Sequence, residues 1–288
     1  MPKCVAIFAV MLALAPFSAL AQPPSTAPST FTAIDVPFAG ASNTRANGIN
    51  ARGDIVGRYE DSTGAHGFLL SQGTFSTVVV PGSGANDEEG PVRGINTRGD
   101  IVGHFFDNAG GEHGFLLSQG TFTQIDFPGA TATEARGISD SEEIVGSYLD
   151  GAGVRHGFLL SGGAFTTIDF PGAANTRARG INAGGDIVGE YDPSVHGFLL
   201  SSGVFTAIDF PGADITQARG INNEGQIVGS YQVGKVPHGF LLSAGDFVTI
   251  DVPFAGALGT QARGINARGN IVGAYADSSG DHGFLATR

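Results

Sequence analysis

The stretch TFTQIDFPG (121–129) opens a repeat that continues with ARGI (135–138), EIVGSY (143–148) and HGFLLS (156–161). Its His-Gly-Phe step occurs six times, at intervals of 40 to 47 residues. The six steps begin at His66, His113, His156, His196, His238 and His282. Sequence periods of this length are typical of propellers and solenoids, in which each repeat forms one supersecondary unit. The repeat therefore decides the fold class.

Each repeat contains four short runs with the composition of β-strands. The runs read ARGI, IVGxY, HGFLL and FTxID, and Gly, Asn or Pro residues bound them. Two-residue connections that end in Gly, such as Gly162-Gly163, predict tight hairpins between the third and fourth runs. Six repeats of four antiparallel strands predict an all-β, six-bladed β-propeller. A β-solenoid is the alternative, although its rungs are usually shorter and lack internal hairpins.

The order of the runs at the two ends of the repeat region predicts how the ring closes. The first run, Phe31–Val36, is of the fourth type, whereas the last run, His282–Leu285, is of the third type. The N-terminal strand can therefore complete the last blade, which removes two open sheet edges at once. In that arrangement Asp35 would face His282.

These repeats resemble a known family. The segment Gly180-Ile181-Asn182, with Gly185, Val188-Gly189 and the step His196–Leu199, is similar to the repeat of the HAF-type extracellular repeat proteins, in a variant with Gly after the histidine. The resemblance covers residues 31–288. It implies export of the protein and does not imply an activity.

The first 21 residues read as a signal peptide. Lys3 precedes an apolar run, and Ala19-Leu20-Ala21 has the small-x-small form of a cleavage site, so we expect cleavage after Ala21. Residues 22–30 predict a short disordered leader, and residues 31–288 the propeller. The localisation expected is secreted or periplasmic. The single cysteine, Cys4, lies within the signal, so the mature chain would have no disulfide and no cysteine metal site.

Composition narrows the classes of partner. The chain has 15 Lys and Arg against 27 Asp and Glu, a net charge of −12. This argues against nucleic acid as a partner, because nucleic-acid binding needs a basic surface. After the signal no apolar run is long enough to predict a membrane span. We expect a monomer with an unknown extracellular ligand, a glycan or a protein.

The repeated histidines are predicted to serve architecture. In the hairpin between the third and fourth strands, the residue 13 positions after each histidine lies directly across from it, and facing side chains there can form a hydrogen bond. The predicted pairs are His113–Asp126, His156–Asp169, His196–Asp209, His238–Asp251 and His282–Asp35, while His66 faces Val79. A metal site is the alternative, but it needs at least three converging ligands, and these pairs are spread around a ring. We therefore expect no metal and no cofactor.

A second repeated residue is an arginine that opens the first strand. It occurs in five repeats, as Arg93, Arg136, Arg179, Arg219 and Arg263, and Asn47 stands in the sixth. If the first strand is innermost, five guanidinium groups approach the axis and could form an anion-binding ring. The alternative, which we favour, is that each arginine pairs locally with a carboxylate or a backbone carbonyl, because buried arginine is usually paired.

Residues that differ between repeats are the candidates for specific function. One repeat contains an acidic insertion with Asp87, Glu88 and Glu89, which could bind a ligand, although a solvated loop is the favoured interpretation. The position after IVG also varies, and its residues His104 and Glu190 are weak candidates for an acid/base pair. A tolerant strand position is the alternative there.

The sequence as a whole favours an exported, non-catalytic binding or surface module over an enzyme. The alternative is a carbohydrate-active enzyme, a hydrolase or a lyase, with its site on the face that carries the variable loops. A converging set of acids, or an acid with a histidine, at the axis would favour the enzyme.

Overall fold

The computed structural model describes residues 27–82 and 92–288, and its regular structure consists of 24 β-strands. We group the strands into six four-stranded units. The first unit contains β2 (Ser42–Ile49), β3 (Ile55–Asp61), β4 (Gly64–Ser71) and β5 (Thr74–Val78). The second contains β6 (Val92–Ile95), β7 (Ile101–Phe106), β8 (Glu112–Ser118) and β9 (Thr121–Ile125), and the third β10 (Ala132–Ile138), β11 (Ile144–Leu149), β12 (Arg155–Ser161) and β13 (Ala164–Ile168).

The remaining units follow the same order. The fourth contains β14 (Thr176–Ile181), β15 (Ile187–Tyr191), β16 (His196–Ser201) and β17 (Val204–Ile208), and the fifth β18 (Ile215–Ile221), β19 (Ile227–Val233), β20 (Val236–Ser243) and β21 (Asp246–Ile250). The sixth is formed by β22 (Gly259–Ile265), β23 (Ile271–Asp277), β24 (Gly280–Thr287) and the N-terminal β1 (Thr30–Ile34). The signal peptide predicted for residues 1–21 lies outside the described residues, as do residues 22–26 of the predicted leader.

The all-β propeller is confirmed, but the predicted number of six blades is not reproduced, because the strands form five hydrogen-bonded sheets. Four units form four-stranded sheets, whereas the second and third share one eight-stranded sheet. These two units are joined by a single parallel bridge between Ala132 of β10 and Glu112 of β8. The bridge forms because β10 starts close enough to the third strand of the preceding unit to pair with it.

The predicted closure by the N-terminal strand is confirmed. Strand β1 pairs antiparallel with β24, from Thr30 opposite Thr287 to Ile34 opposite Gly283. The sixth unit therefore takes its outer strand from the start of the chain. This pairing covers the edge of β24, and an uncovered edge would be a template for association.

The first strand of each unit is innermost. A Cβ on Gly137 of β10 would lie 2.8 Å from the carbonyl oxygen of Arg179 and 3.1 Å from the Cα of Gly180, so only glycine fits between these two strands. Equivalent approaches join each first strand to the next around the ring, at Gly48, Gly94, Gly180, Gly220 and Gly264. The last of these, at Gly264, meets the carbonyl oxygen of Asn47 in the first unit, which closes the circle.

The turn between the first and second strands carries a repeated asparagine. Asn182 Oδ1 accepts hydrogen bonds from the backbone N–H groups of Gly184 and Asp186, both at 2.9 Å. Its Nδ2 donates to the carbonyl oxygen of Asn222 in the next unit at 3.2 Å. Equivalent inter-unit bonds run from Asn50 to Asn96, from Asn222 to Asn266 and from Asn266 to Asn50. The asparagine thus fixes its own turn and links neighbouring units.

The apolar core lies between consecutive units. One cluster contains Val145 and Ile168 of the third unit with Ala178 and Phe198 of the fourth. The phenylalanine of every His-Gly-Phe step is completely buried in such a layer, at Phe68, Phe115, Phe158, Phe198, Phe240 and Phe284. Burial of one such side chain contributes about 2–3 kcal/mol. Within residues 27–82 and 92–288 there is no helix with the length and apolarity that crossing a membrane requires.

Candidate functional site

The axial channel is lined by residues that alternate along the innermost strands. The repeated arginine is the extra residue of a β-bulge in the innermost strand, and it lies on the same side as the residue two positions before it, as the contacts of Arg219 with Gln217 and of Arg263 with Gln261 show. On the second strand, the residue after the IVG motif lies opposite the residue two positions before the arginine. Arg177 thus faces Glu190, and Gln261 faces Ala274. We call the end of the channel with the asparagine turns the Asn end and the opposite end the variable end.

The repeated arginines converge. A cavity of about 60 Å³ on the axis is lined by one residue from each unit. These residues are Asn47, Arg93, Arg136, Arg179, Arg219 and Arg263. These arginines also have local partners within their own unit or in a neighbouring one. The ring of guanidinium groups and the local pairing, which the sequence analysis treated as alternatives, therefore occur together.

On one side of the ring the partners are carboxylates. Arg136 and Arg179 pair with Glu134 and Glu190 respectively. Arg155 also donates to Glu134 Oε1 at 2.5 Å. Burial disfavours the ionised form of Glu190, but the charge and hydrogen bond of Arg179 outweigh it and lower the pKa of Glu190 to about 2. This carboxylate is therefore ionised and serves as a fixed counter-charge to the ring.

On the other side the partners are neutral amides. Arg219 donates to Gln217 Oε1 at 2.7 Å, and Arg263 donates to Gln261 Oε1 at 2.8 Å and to Asn47 Oδ1 at 3.2 Å. Within the described part of the chain, Glu190 forms its ion pairs with Arg177 and Arg179 rather than with either of these two arginines. Burial, and next the charge of Arg179, lower the pKa of Arg219 to about 9. Burial, and next Arg219, hold the pKa of Arg263 well below its ordinary value. Positive charge is thus least compensated on this side.

His104 and Glu190, weighed together as an acid/base pair, belong to separate clusters. His104, Glu112 and Glu134 have ligand atoms within 4.8 Å of one another, with His104 Nε2 at 3.8 Å from Glu112 Oε1. Glu190 instead contacts Arg179 and, at 2.7 Å, the side-chain amide of Gln217.

The cluster of His104, Glu112 and Glu134 has the composition of a metal site, which the sequence did not predict. Burial and the neighbouring Glu134 raise the pKa of Glu112 to about 7. Burial opposes ionisation of Glu134 as well, but Arg136 and then His104 hold its pKa below the ordinary value. Because Arg136 and Arg155 already occupy Glu134, the cluster is better suited to a carboxyl–carboxylate pair that holds a proton than to a cation.

Five of the repeated histidines pair as the sequence spacing suggested, and three of them, His113, His156 and His282, contact a second acid as well. The Nδ1-to-carboxylate distances lie between 2.7 and 2.9 Å for His113–Asp126, His156–Asp169, His196–Asp209, His238–Asp251 and His282–Asp35. The Nε2 atom of His282 also lies 3.2 Å from Asp277, and His66 contacts Asp61 at 3.0 Å. Each ring packs on the aromatic residue of the second strand, as His282 does on Tyr275 at 5.0 Å between centroids.

Burial disfavours a charged ring at His282, but Asp35 and next Asp277 outweigh it and raise the histidine pKa. The same balance raises the pKa of His113 and of His156. The repeated histidines and their aspartates lie on the outer half of the units, away from the arginine ring. Unlike His104, they do not contribute to the channel.

Two variable positions of the channel were missed by the sequence reasoning. One lies two residues before the arginine and carries Arg45, Glu134, Arg177, Gln217 and Gln261. The other immediately precedes the His-Gly step and carries Ala65, Glu112, Arg155, Val195, Pro237 and Asp281. Alignment of the repeats against one another shows that the first position varies between a threonine and an alanine in five repeats, and that the second varies directly before the invariant His-Gly step. Variation beside repeated residues is the signal that could have identified both positions. The predicted binding residues Asp87, Glu88 and Glu89 lie outside the described residues.

Comparison with known proteins shows the fold. No family model and no curated protein matches the chain. Solved structures do match: a virginiamycin B lyase from Staphylococcus aureus has a TM-score of 0.55 at 9% identity, over 90% of this chain and 99% of that one. A lectin from the fungus Aleuria aurantia, a six-bladed β-propeller that recognises fucose, has a TM-score of 0.53 at 12% identity, over 86% and 92%. A gluconolactonase-like protein has 0.53 at 14% identity, over 91% and 94%. At these identities the likeness establishes that this chain is a β-propeller.

Proposed function

We propose that this protein is an exported, non-catalytic binding module that takes an anionic glycan or peptide group at the variable end of its axial channel. The single observation that carries the proposal is the pair Arg219 and Arg263, two guanidinium groups on the axis whose acceptors are neutral amide oxygens. A carboxylate, sulfate or phosphate would supply the charge-assisted hydrogen bonds that these amides do not. The resemblance to HAF-type repeats supports export, and the lectin among the propellers of similar fold supports a binding role.

The net charge supports selectivity for a local anionic group. The chain carries a net charge of −12, so a long polyanion is repelled by most of the surface. An anionic group that enters the channel instead meets the arginines at short range. We therefore expect binding that weakens with added salt and that does not extend to nucleic acid.

A glycan array probed with the purified full chain tests this proposal. We expect binding to glycans that carry uronate, sialate or sulfate groups, and little binding to their neutral counterparts. Equal binding to neutral glycans, or binding unaffected by Arg219→Gln, would contradict the proposed site.

One observation favours a second candidate function, a carbohydrate-active hydrolase or lyase. Glu112, with its pKa raised to about 7, lies beside Glu134 and His104 at the channel. A carboxyl group that holds its proton near neutral pH is suited to general acid catalysis. Incubation with the same glycans and analysis of reducing ends or unsaturated products tests it. Product formation that is lost in Glu112→Gln would establish the enzyme, whereas no product from any bound glycan would exclude this candidate for those glycans.

A further inference from the structure

One cavity at the channel lies between the fifth and sixth units. Its volume is about 270 Å³, and it opens toward the variable end. It is lined by Arg45, Arg219, Pro237, Gly259, Gln261, Arg263, Ala274, Tyr275, Ala276 and Asp281. Typical ligand pockets measure about 300–1,000 Å³, so this one suits a single small unit of a ligand.

The cavity exists because the sixth unit lacks a side chain that the fourth unit has. In the fourth unit Glu190 follows the IVG motif and pairs with Arg179 of the same unit. In the sixth unit Ala274 occupies that position, opposite Gln261. A short side chain replaces a carboxylate, so the unit loses both the volume and the counter-charge.

The arginines that border this space retain unused donors. The Nε atoms of Arg219 and Arg263, like that of Arg179, are buried and have no hydrogen-bond partner among the described residues, but Arg219 and Arg263 also lack a carboxylate acceptor and donate only to amide oxygens. A buried donor without an acceptor is costly, and more so for a charged group. A ligand carboxylate in the cavity would give Arg219 and Arg263 a charged acceptor, as Glu190 does for Arg179 within the protein.

The remaining polar groups limit what else the ligand can carry. Asp281 accepts a hydrogen bond from Arg45 Nε at 2.6 Å and keeps a carboxylate at the rim of the cavity. It can accept hydrogen bonds from hydroxyl groups, and it repels a second negative charge. The amide of Gln261 offers a further donor and acceptor. A monoanion with several hydroxyl groups satisfies this lining better than a dianionic phosphate.

We propose that this cavity binds one acidic sugar residue, with its carboxylate on Arg219 and Arg263 and its hydroxyl groups on Gln261 and Asp281. The inference rests on the proposed binding function and names the ligand class and the place. Neighbouring sugars of a longer glycan would extend from the cavity toward the variable end.

Titration calorimetry with galacturonate, and with galactose as the uncharged match, tests the assignment on the full chain. We expect galacturonate to bind and galactose not to bind. Arg263→Gln should weaken galacturonate binding by about tenfold or more, because it removes charge-assisted hydrogen bonds. Inorganic sulfate or acetate that binds as tightly as galacturonate would overturn the sugar assignment.

Ala274→Glu gives a sharper test, with Ala274→Gln as its matched control. The introduced carboxylate should occupy the cavity, pair with Arg263 as Glu190 pairs with Arg179, abolish galacturonate binding and raise the melting temperature above that of Ala274→Gln. If Ala274→Glu still binds galacturonate, or melts below Ala274→Gln, the cavity is not an anion site. If the Ala274→Glu variant still binds acidic glycans on the array, this inference is wrong, but the proposed function stands.

Discussion

His282 Nδ1 lies 2.8 Å from Asp35 Oδ1, across 247 residues of sequence. The same atoms of His156 and Asp169 lie 2.9 Å apart across 13 residues. The unit assembled from both ends of the chain therefore reproduces the side-chain contact of a unit built from one continuous segment. Strand β1 carries Asp35 into this position by pairing with β24.

Removal of residues 22–37 should promote self-association. The deletion removes β1 and leaves the backbone groups of β24 unpaired, and an exposed strand edge is a template for pairing with another chain. We expect higher-order species in light scattering after size-exclusion chromatography and a less cooperative denaturant transition. Asp35→Asn, which keeps the strand and removes only the charge, is the control and should remain monomeric. A monomeric deletion variant of undiminished stability would show that closure does not depend on β1.

Stability should depend on pH through the histidine–aspartate contacts. The folded pKa of His113, His156 and His282 is raised above 6.5, so their contribution is complete below that value and is lost as pH rises through the folded pKa. The pKa of Asp277 is lowered from 3.8 to about 2, so its contribution is lost as pH falls through that lower value. These groups together predict the highest melting temperature at pH values above the titration of Asp277 and below the raised pKa of the histidines.

A series of melts from about pH 3 to about pH 9 measures this profile. His282→Gln should reduce the loss on the alkaline side. The raised pKa of Glu112 also lowers stability as pH rises, because its carboxyl group ionises at lower pH in the unfolded chain than in the folded one. The series is therefore best repeated in Glu112→Gln. A profile that His282→Gln leaves unchanged would refute the role of this contact.

Two glycines should respond to substitution for different reasons. A Cβ on Gly229 would lie 1.9 Å from the carbonyl oxygen of Gln217, so Gly229→Ala forces two strands apart and should cost more than about 4 kcal/mol. Gly163 has a φ of 82° with open space around it, so Gly163→Val should cost only about 1–2 kcal/mol of backbone strain. Gly162→Ser is the control, because Ser202 adopts the same left-handed conformation at the equivalent position, and it should melt close to wild type. Urea unfolding of the three variants should give this order.

Ser139→Asn should stabilise the protein. Ser139 Oγ accepts hydrogen bonds from Ser141 and Glu143 as the asparagines of other units do, but its side chain does not reach the next unit. An asparagine would add a bond to the carbonyl oxygen of Asn182, as Asn182 forms one to Asn222. We expect a gain of about 1 kcal/mol in unfolding free energy. No gain would indicate that the third and fourth units are spaced differently from the others at the Asn end.

The sequence predicted the strands and the ring closure because both depend on local patterns that repeat. The left-handed φ angles at Gln72 and Gly73, 50° and 77°, fit the two-residue hairpin that their spacing predicts. The contact of His282 with Asp35 follows from the same spacing once the N-terminal strand is placed in the last unit. These are relations within one repeat, so a single chain supplies several examples of each.

The channel could not be predicted in the same way, because its contacts join side chains at variable positions, on different strands of one unit or on neighbouring units. Glu134 receives Arg136 from its own strand and Arg155 from another, and Gln217 of the fifth unit reaches Glu190 of the fourth. No periodic pattern encodes such contacts, since they depend on which residue each unit carries at a variable position. The merging of the second and third units into one sheet is also of this kind, since it rests on the pairing of Ala132 with Glu112.

The pairing of β1 with β24 brings Thr30 opposite Thr287, so the fold begins and ends at the same outer edge. A short linker could join these two positions, and the chain could then be opened at an exposed turn such as Gly151–Gly153 with every strand pair retained. Circular permutation of this protein would thus move the covalent break around the ring, and each of the six units could in turn become the one assembled from two separate segments.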